Sequence, residues 1–307
     1  MLGYKFKNFF VFILILVTLL LVSFYFSYQK REASILFVGD MNFDRYIRQV
    51  GENKGEDFIF SCVGNFLKDS DVVIGNLEGP ITDNPSISMG SEIGSSTNFV
   101  FTFPPTTAKL LAKNNIKIVN LGNNHIGNFG KDGMVSTKKY LSEAGVNYFG
   151  GLNGDEPIYR TQIGGTKISF ISYNEFGGDS SKKVAQKIAT EKKNGQKVFV
   201  YAHWGDEYVA PPQRIKNIVK LFAKAGADFI IGSHPHVIQS SEKIPSSSSG
   251  QEGTTVYYSL GNFIFDQYWN KEVSTGLVLE VNIKNTMVTI VDHQVSLGRD
   301  GRTCLVK

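Results

Sequence analysis

The sequence predicts an α/β fold in which helices pack on layers of β-sheet. Short apolar runs alternate with helical patterns through most of the 307-residue chain, and its last part is purely β. Such alternation is typical of a layered α/β domain, and the β-rich end indicates an antiparallel addition. Neither an internal repeat nor a linker divides the chain, so we expect one large domain over residues 33–292.

The first half of this domain alternates strands, polar turns and helices. Pro104 and Pro105 end an extended segment before the helix at Thr106, and Gly145 suits the left-handed turn that follows a helix. The predicted elements, in order, are strand 34–38, helix 57–68, strand 71–74, a Ser-, Gly- and Asn-rich loop 82–98, a helix from 106, strand 116–121 and helix 131–144.

The second half continues the pattern and ends in a hairpin. Apolar residues recur at helical spacing after Pro212, and Gly226 closes that helix. The predicted elements are strand 167–172, helix 181–194, strand 198–201, helix 212–225, strand 228–231, an exposed loop 246–250, strand 255–259 and hairpin strands 276–283 and 287–292. The segment 293–307 is expected to be a C-terminal tail, polar and loose from Leu297.

An uncharged run of 20 residues, Phe9–Tyr28, precedes the domain. As a helix it would be about 30 Å long, the thickness of the hydrocarbon core of a bilayer. A cleavable signal peptide is the alternative, but the run is long for one and the bulky residues 23–28 do not suit a cleavage site. We therefore expect a short cytoplasmic tail (1–8), a transmembrane anchor (9–28) and a large domain outside the cytoplasm, at the cell membrane.

Composition excludes some classes of protein and leaves the cysteines open. Hydrophobic residues make up 42% of the chain and charged residues 20%, as in globular proteins. The formal net charge is +4, of which Lys5 and Lys7 contribute +2, so bulk charge gives no argument for nucleic acid binding. Cys62 and Cys304 are the only cysteines. A place outside the cytoplasm would permit a disulfide, but the sequence does not decide whether they pair.

Two histidines, His234 and His236, follow an apolar run predicted to be a strand. Imidazole is the commonest protein ligand of first-row transition metals, and two of them at one strand end can point to one ion. An isolated His-x-His can equally be a pair of residues that cap a loop. The remaining histidines favour the metal site, because His125 and His203 also follow apolar runs, and only His293 lies in the terminal hairpin.

Polar clusters follow five of the predicted strands. They are Asp40 with Asn42, Asn76 with Glu78, Asn124 with His125, His203, and His234 with His236. Ligands of open α/β sheets bind at the carboxyl ends of strands, and carboxylate, imidazole and amide groups together suit Zn²⁺, Mn²⁺ or Fe²⁺. No serine nucleophile elbow, Walker loop or Rossmann glycine fingerprint is present.

With these motifs the chain resembles the CapA-type capsule-synthesis family, named for poly-γ-glutamate capsule biosynthesis. The resemblance covers roughly Ile35 to Val281 and implies a calcineurin-like metallophosphoesterase fold, two β-sheets flanked by helices. The matching pieces, in the family's order, are Gly39-Asp40, Gly75-Asn76-Leu77-Glu78, Asn123-Asn124-His125, His203-Trp204-Gly205-Asp206-Glu207-Tyr208, Gly232-Ser233-His234-Pro235-His236 and Tyr258-Ser259-Leu260-Gly261-Asn262-Phe263.

The resemblance also implies roles for individual residues around one or two ions of Mn, Fe or Zn. His125 would be the general acid. The implied metal ligands are Asp40, Glu78, Asn124, His203, His234 and His236. Independently of the resemblance, the expected substrate-binding residues are Arg45, Asn76, Glu207 and Asn262, with Arg45 as a contact to phosphate.

Several of these positions keep a simpler interpretation. Asn76 and Asn262 can be turn residues, and Asp44 and Arg45 can be a surface ion pair. Trp204 and Tyr208 are more often packing residues than substrate platforms.

Two departures from the metallophosphoesterase pattern stand out. Asn42 occupies the place of a histidine in the first cluster, which puts one metal in doubt. Asn128 occupies the place of an aspartate three residues after His125, which removes a charge that would orient or tune that histidine.

Three functions fit these features. The first is a membrane-anchored capsule or surface-polymer biosynthesis protein with a metallophosphoesterase-like outer domain. The second is an active metal-dependent hydrolase of phosphoesters or of amide-linked polymer, whose metals would activate water and polarise the substrate. The third is a non-catalytic scaffold for polymer export. The expected partners are the membrane, a surface-polymer or phosphoester substrate and other capsule-synthesis membrane proteins.

Overall fold

The computed structural model describes residues 32–246, 253–285 and 287–306, together with Ile13, Ile15, Val17 and Thr18. Apart from those four positions, the predicted anchor Phe9–Tyr28 lies outside the described residues, as does the predicted loop 246–250 beyond Ser246. Within the described part of the chain, every helix is too short or too polar to span a bilayer.

Fourteen strands and six α-helices lie in the described ranges. The strands are β1 Ala33–Met41, β2 Val72–Leu77, β3 Ile116–Asn120, β4 Asn147–Phe149, β5 Ile158–Ile163, β6 Thr166–Asn174, β7 Lys197–His203, β8 Phe229–Ser233, β9 Ser241–Ile244, β10 Thr254–Tyr257, β11 Asn262–Ile264, β12 Thr275–Lys284, β13 Met287–Leu297 and β14 Thr303–Leu305. The helices are α1 Arg45–Lys54, α2 Gly64–Lys68, α3 Thr106–Lys113, α4 Gly130–Glu143, α5 Ser181–Lys193 and α6 Gln213–Ala225.

The strands form two sheets. The first has the order β14-β13-β12-β1-β2-β3-β4, with β11 also paired to β1, and its strands β1 to β4 are parallel. The second has the order β5-β6-β7-β8-β10-β9, with a parallel centre and antiparallel strands at both edges. The expected layered α/β domain with an antiparallel addition is confirmed.

The sheets pack face to face, and helices cover their outer faces. In β1 the side chains alternate between the two sides: Ile35 and Phe37 face the core between the sheets, and Leu36 and Val38 face the helices. Helices α1 to α4 contribute to the core on the first sheet, and α5 and α6 to the core on the second. Strands buried on both faces are continuously apolar, which explains why they stood out as apolar runs.

One predicted helix of the first sheet was wrong, and another helix was missed. The predicted helix 57–68 is a 3₁₀ helix, Glu56–Phe60, followed by a turn and the short α2. The turn presents Cys62 to Cys304, and the two cysteines form a disulfide with Cα atoms 4.8 Å apart. Helix α1 was missed because its apolar face is narrow, with Ile47 and Val50 as its buried apolar residues.

The C-terminal segment is better ordered than expected. Strand β13 continues to Leu297, and β14 pairs antiparallel with it through Thr303–Leu305. The expectation of a loose tail is therefore wrong, because backbone pairing attaches this segment to the first sheet and the Cys304 disulfide attaches it to the turn before α2.

Candidate metal centre

The carboxyl ends of the parallel strands of both sheets meet at one edge of the sandwich. Hydrogen bonds cross between the sheets there, from Asn76 to His203 and from the backbone of His234 to Asp40. The polar residues at this edge are Asp40, Asn76, Glu78, Asn120, Asn123, Asn124, His125, Asn174, His203, Ser233, His234 and His236. All six predicted metal ligands and the predicted general acid are among them.

Asp40, near the end of β1, is the residue on which both sheets converge. Its Oδ1 accepts a hydrogen bond from Asn76 Nδ2 at 2.8 Å, and its Oδ2 accepts one from the His234 backbone N–H at 3.0 Å. The Nδ1 atoms of His236 and His203 lie 3.4 and 3.9 Å from the same carboxylate. Burial alone would raise the pKa of Asp40, but His236 and then His203 lower it well below its usual value, so the group is a carboxylate.

His203 ends β7 and faces Asn124. Its Nδ1 lies 3.0 Å from Ser233 Oγ and 3.3 Å from Asn76 Nδ2, which holds the ring and leaves Nε2 on the side of the centre. Nε2 is 2.8 Å from Asn124 Oδ1. Because Asn76 Nδ2 can only donate, Nδ1 is the acceptor, and Nε2 carries the proton that it donates to Asn124 Oδ1.

Glu78, His234 and His236 form a compact group of ligand atoms. One atom from each lies within 4.8 Å of the others, and all three residues are buried. Both carboxylate oxygens of Glu78 and Nδ1 of His234 are buried without a hydrogen-bond partner. Buried polar atoms are nearly always partnered, so an orphaned set of this kind needs an explanation. A divalent cation would satisfy all three atoms, and these residues therefore fit a metal.

Asn262 determines which nitrogen of His236 faces that group. Its Nδ2 donates to Gln267 Oε1 at 3.0 Å and to the Val273 carbonyl at 2.9 Å, so its Oδ1 accepts from His236 Nδ1 at 2.9 Å. With the proton on Nδ1, His236 presents the lone pair of Nε2, which is 3.6 Å from Glu78 Oε1. Partners that fix a ligand imidazole in this way are usual at metal sites.

Burial shifts the pKa values of the other ionisable groups of the centre away from their usual values. The pKa of His203 is well below its usual value because of burial and then the charge of His234. Burial and then His236 lower the pKa of His234 to about 3. Neutral imidazole is the form that binds metals. Burial, followed by the charge of Asp40, raises the pKa of Glu78 well above its usual value, an effect that a cation would reverse.

His125 lies beside the group with one nitrogen directed toward it. Its Nδ1 is 3.1 Å from the Phe99 carbonyl and 3.3 Å from Asn128 Oδ1, and its Nε2 is 4.0 Å from Glu78 Oε1. Because Phe99 offers only an acceptor, Nδ1 carries a proton. Burial and then the charge of His236 lower the pKa of His125 to about 4.

Several residues of the site hold a backbone conformation that is rare outside glycine. The angle φ is +95° at His234, +57° at His236, +50° at Arg45 and +63° at Tyr208. Such conformations cost about 1–3 kcal/mol each and are concentrated at functional sites. In His234 the conformation accompanies the hydrogen bond from its backbone N–H to Asp40.

The four expected substrate-binding residues are placed differently from one another. Asn76 and Asn262 are fully buried and hydrogen-bond to Asp40 and His236, so their position favours holding ligands over contacting substrate. Glu207 is exposed at the rim of the site. Arg45 is largely buried, with 13% of its side chain exposed.

The simpler interpretation of Asp44 and Arg45 as a surface ion pair is wrong. Asp44 is fully buried and caps α1 by accepting the Arg45 backbone N–H at 2.9 Å, whereas the Arg45 side chain pairs with Asp266. Asn42, in the place of the missing histidine, is also buried. Its Oδ1 accepts the Asp44 N–H at 2.8 Å, and its Nδ2 has no partner.

The two aromatic residues of the motif that begins at His203 differ in burial. Trp204 is completely buried and donates from Nε1 to the Tyr258 carbonyl at 2.9 Å, as a packing residue would. Tyr208 is 42% exposed, and its ring centre lies 6.1 Å from that of His236.

Comparison with known proteins shows the family of the chain. Residues 34–267 match the family described as "Bacterial capsule synthesis protein PGA_cap". The chain belongs to this capsule synthesis family. The PGA biosynthesis protein CapA of Bacillus subtilis (strain 168) is 31% identical over 272 residues, which cover 82% of this chain and 68% of the relative. The capsule biosynthesis protein CapA of Bacillus anthracis is 27% identical over 288 residues, with coverages of 86% and 67%.

The matched region contains the centre and also residues that sequence reasoning missed. Asn174, at the end of β6, donates from Nδ2 to the Asn123 carbonyl at 3.0 Å, and Asn123 Oδ1 accepts the His125 N–H at 3.0 Å. Ser233 and Gln267 support His203 and Asn262. Asn174 had a readable signal, since it follows an apolar strand as the other site residues do. Gln267 had none.

Proposed function

We propose that this protein is a membrane-anchored capsule or surface-polymer biosynthesis protein with a metallophosphoesterase-like, metal-dependent hydrolytic centre in its outer domain. Membership of the capsule synthesis family supports the biological role. The observation that carries the chemistry is the orphaned set of buried atoms, both oxygens of Glu78 and Nδ1 of His234, within the compact group that includes His236. The substrate class we infer is a phosphoester or an amide-linked polymer of the poly-γ-glutamate type.

The residues divide into metal holders and a proton carrier. Glu78, His234 and His236 would hold one cation of the Mn, Fe or Zn class, and His203 with Asn124 would extend the site next to Asp40. When bound, such a cation polarises the substrate and activates water.

His125 supplies the proton in this proposal. As general acid it has to carry the transferable proton on Nε2, the atom 4.0 Å from Glu78 Oε1, while Nδ1 stays bound to the Phe99 carbonyl. An anionic substrate group next to the ring would favour the protonated form, because an opposite charge raises the pKa of an imidazole.

The test separates metal binding from catalysis with three variants of the full-length protein. The double variant His234→Ala/His236→Ala should lose most of the metal found in wild type, because two of the three grouped ligands are removed. The variant His125→Ala should keep its metal and lose about 10²–10⁴-fold in rate on phosphomonoesters, phosphodiesters or poly-γ-glutamate. In a strain without the gene, it should fail to restore surface polymer.

The matched control is His293→Ala. His293 bonds Glu280 in the terminal hairpin at 2.7 Å, outside the centre, so its replacement should leave metal content and polymer unchanged. Equal and near-zero metal in wild type and the double variant would contradict the metal centre. Full restoration of polymer by His125→Ala, with no substrate turned over by wild type, would instead identify a scaffold for polymer export.

A further inference from the structure

Arg45 lies one aromatic layer away from the metal centre. Its guanidinium carbon is 5.1 Å from the ring centre of Phe101 and 5.3 Å from that of Phe265. Phe101 contacts His125, with ring centres 4.3 Å apart, and Phe265 contacts His236, with ring centres 4.9 Å apart. The guanidinium of Arg45 thus packs against Phe101 and Phe265, and the same two rings contact His125 and His236.

The donors of this guanidinium are only partly used. Nη2 pairs with Asp266 Oδ1, and Nη1 makes one long contact of 3.4 Å to Asn98 Oδ1. Nε is buried and has no hydrogen-bond partner. The second oxygen of Asp266 does not reach the guanidinium as a second prong. It accepts the backbone N–H of Tyr46 at 3.3 Å. The guanidinium could bind a carboxylate through two parallel N–H donors, but only Nη2 binds Asp266.

The backbone at Arg45 is also held in an unfavourable conformation. Its φ of +50° lies in the left-handed region, which side chains with a Cβ rarely adopt. The conformation places this residue directly after the buried cap Asp44 and at the first position of α1. A strained residue with a buried, unpartnered donor next to a centre of chemistry indicates a binding role.

We propose that Arg45 anchors an oxyanion subsite beside the metal centre, which takes a carboxylate or phosphate group of the substrate in competition with Asp266. This subsite rests on the proposed function and specifies its substrate as an anion. Guanidinium groups match both oxyanions through two parallel N–H donors, and the phenylalanine walls exclude water from the contact. Asp266 keeps the cation paired when substrate is absent.

Two variants at the ion pair test the competition, because they should act in opposite directions. The full-length protein in detergent is titrated with inorganic phosphate, with a short γ-linked glutamate oligomer, and with the same oligomer carrying amides in place of its α-carboxyl groups. Arg45→Gln should weaken binding of an anionic probe about tenfold or more, whereas Asp266→Asn should tighten it. Arg45→Lys, which keeps the charge and loses the fork, should fall between wild type and Arg45→Gln.

The probes identify the group that binds. Arg45-dependent binding of phosphate alone assigns the subsite to a phosphate, and binding of the acidic but not the amidated oligomer assigns it to a carboxylate. The proposal is overturned if neither anionic probe binds wild type, if Arg45→Gln binds as wild type does, or if Asp266→Asn fails to bind more tightly. Weaker binding of the anionic probe in both Arg45→Gln and Asp266→Asn would mean that the Arg45–Asp266 ion pair has a structural role only.

The metal state separates this proposal from the proposed function. Each titration is run on metal-loaded and on chelator-treated protein, with metal content measured on the same samples. Normal metal content with no effect of Arg45→Gln would contradict the subsite alone. Arg45-dependent binding in a wild type that takes up no metal would contradict the proposed function alone.

Discussion

Asn128 shows how a single residue can keep the geometry of a site while removing its charge. Its Oδ1 lies 3.3 Å from His125 Nδ1 and also accepts the Phe101 N–H at 2.9 Å. The Phe99 carbonyl contacts the same His125 nitrogen at 3.1 Å. The ring is therefore oriented by neutral acceptors, and the orientation expected from an aspartate at this position is retained without its negative charge.

Replacement of Asn128 by Asp should raise the pKa of His125 from about 4, by about one to two units. The new carboxylate stabilises the imidazolium, so the ring keeps its proton to higher pH, and any reaction that needs this proton extends to higher pH. The pKa is measured by NMR titration of the His125 ring in the folded protein. Asn128→Ala, which removes the acceptor without adding charge, should lower the pKa instead, and shifts of the same sign in both variants would contradict the assignment.

At the scale of elements, glycine at the strand ends lets segments approach at the centre. A Cβ on Gly39, just before Asp40 in β1, would lie 1.8 Å from the Gly261 carbonyl oxygen. A Cβ on Gly232, in β8, would lie 1.9 Å from the Tyr258 carbonyl oxygen. Only glycine fits at these two positions, because a neighbouring backbone segment occupies the space that a side chain would need.

Gly232→Ala should destabilise the protein by about 1–3 kcal/mol, because β8 has to move away from the segment at Tyr258. The movement displaces His234, so metal content should fall with stability. Denaturant unfolding and metal analysis measure the two effects. Gly51→Ala is the matched control, because a Cβ there comes no closer than 3.4 Å to a neighbour in the middle of α1. That control should be neutral or stabilising by up to about 1 kcal/mol, and equal losses in both variants would contradict the steric argument.

At the scale of the whole molecule, the Cys62–Cys304 disulfide connects the turn before α2 to the last strand. A bond between residues 242 positions apart restricts almost the entire unfolded domain. Disulfides persist in oxidising compartments, as the proposed position of the domain outside the cytoplasm, behind the predicted anchor Phe9–Tyr28, requires.

The double variant Cys62→Ser/Cys304→Ser should lower the free energy of unfolding by about 2–5 kcal/mol, because the unfolded chain regains conformational freedom. Chemical denaturation with and without reductant measures this free energy, and the variant itself should not respond to reductant.

The location of the domain is tested in cells. Protease added to intact spheroplasts should digest the domain, and thiol labelling without reduction should leave both cysteines unmodified. Protection of the domain together with free thiols would place it in the cytoplasm.

The clusters of polar residues after apolar runs were enough to identify the candidate site. Parallel strands bring their carboxyl ends to one edge of a sheet, which places Asp40 near Glu78 in the first sheet and His203 near His234 in the second. The packing of the two sheets then brings these two pairs together. The boundaries of Glu56–Phe60 and α2 were not predictable, because the turn between them is fixed by the partner of Cys62.

The sequence by itself determined the layered α/β class, the succession of its central strands along the chain and the set of residues at their ends, because apolar periodicity is a local property. The tertiary structure alone decided which atoms face each other. It paired Arg45 with Asp266, 221 residues away, fixed the proton of His236 through Asn262, and left the oxygens of Glu78 without a partner. These features depend on contacts between segments that are distant in the sequence. The packing of the two sheets sets the geometry of these contacts, so no local segment of the chain determines it.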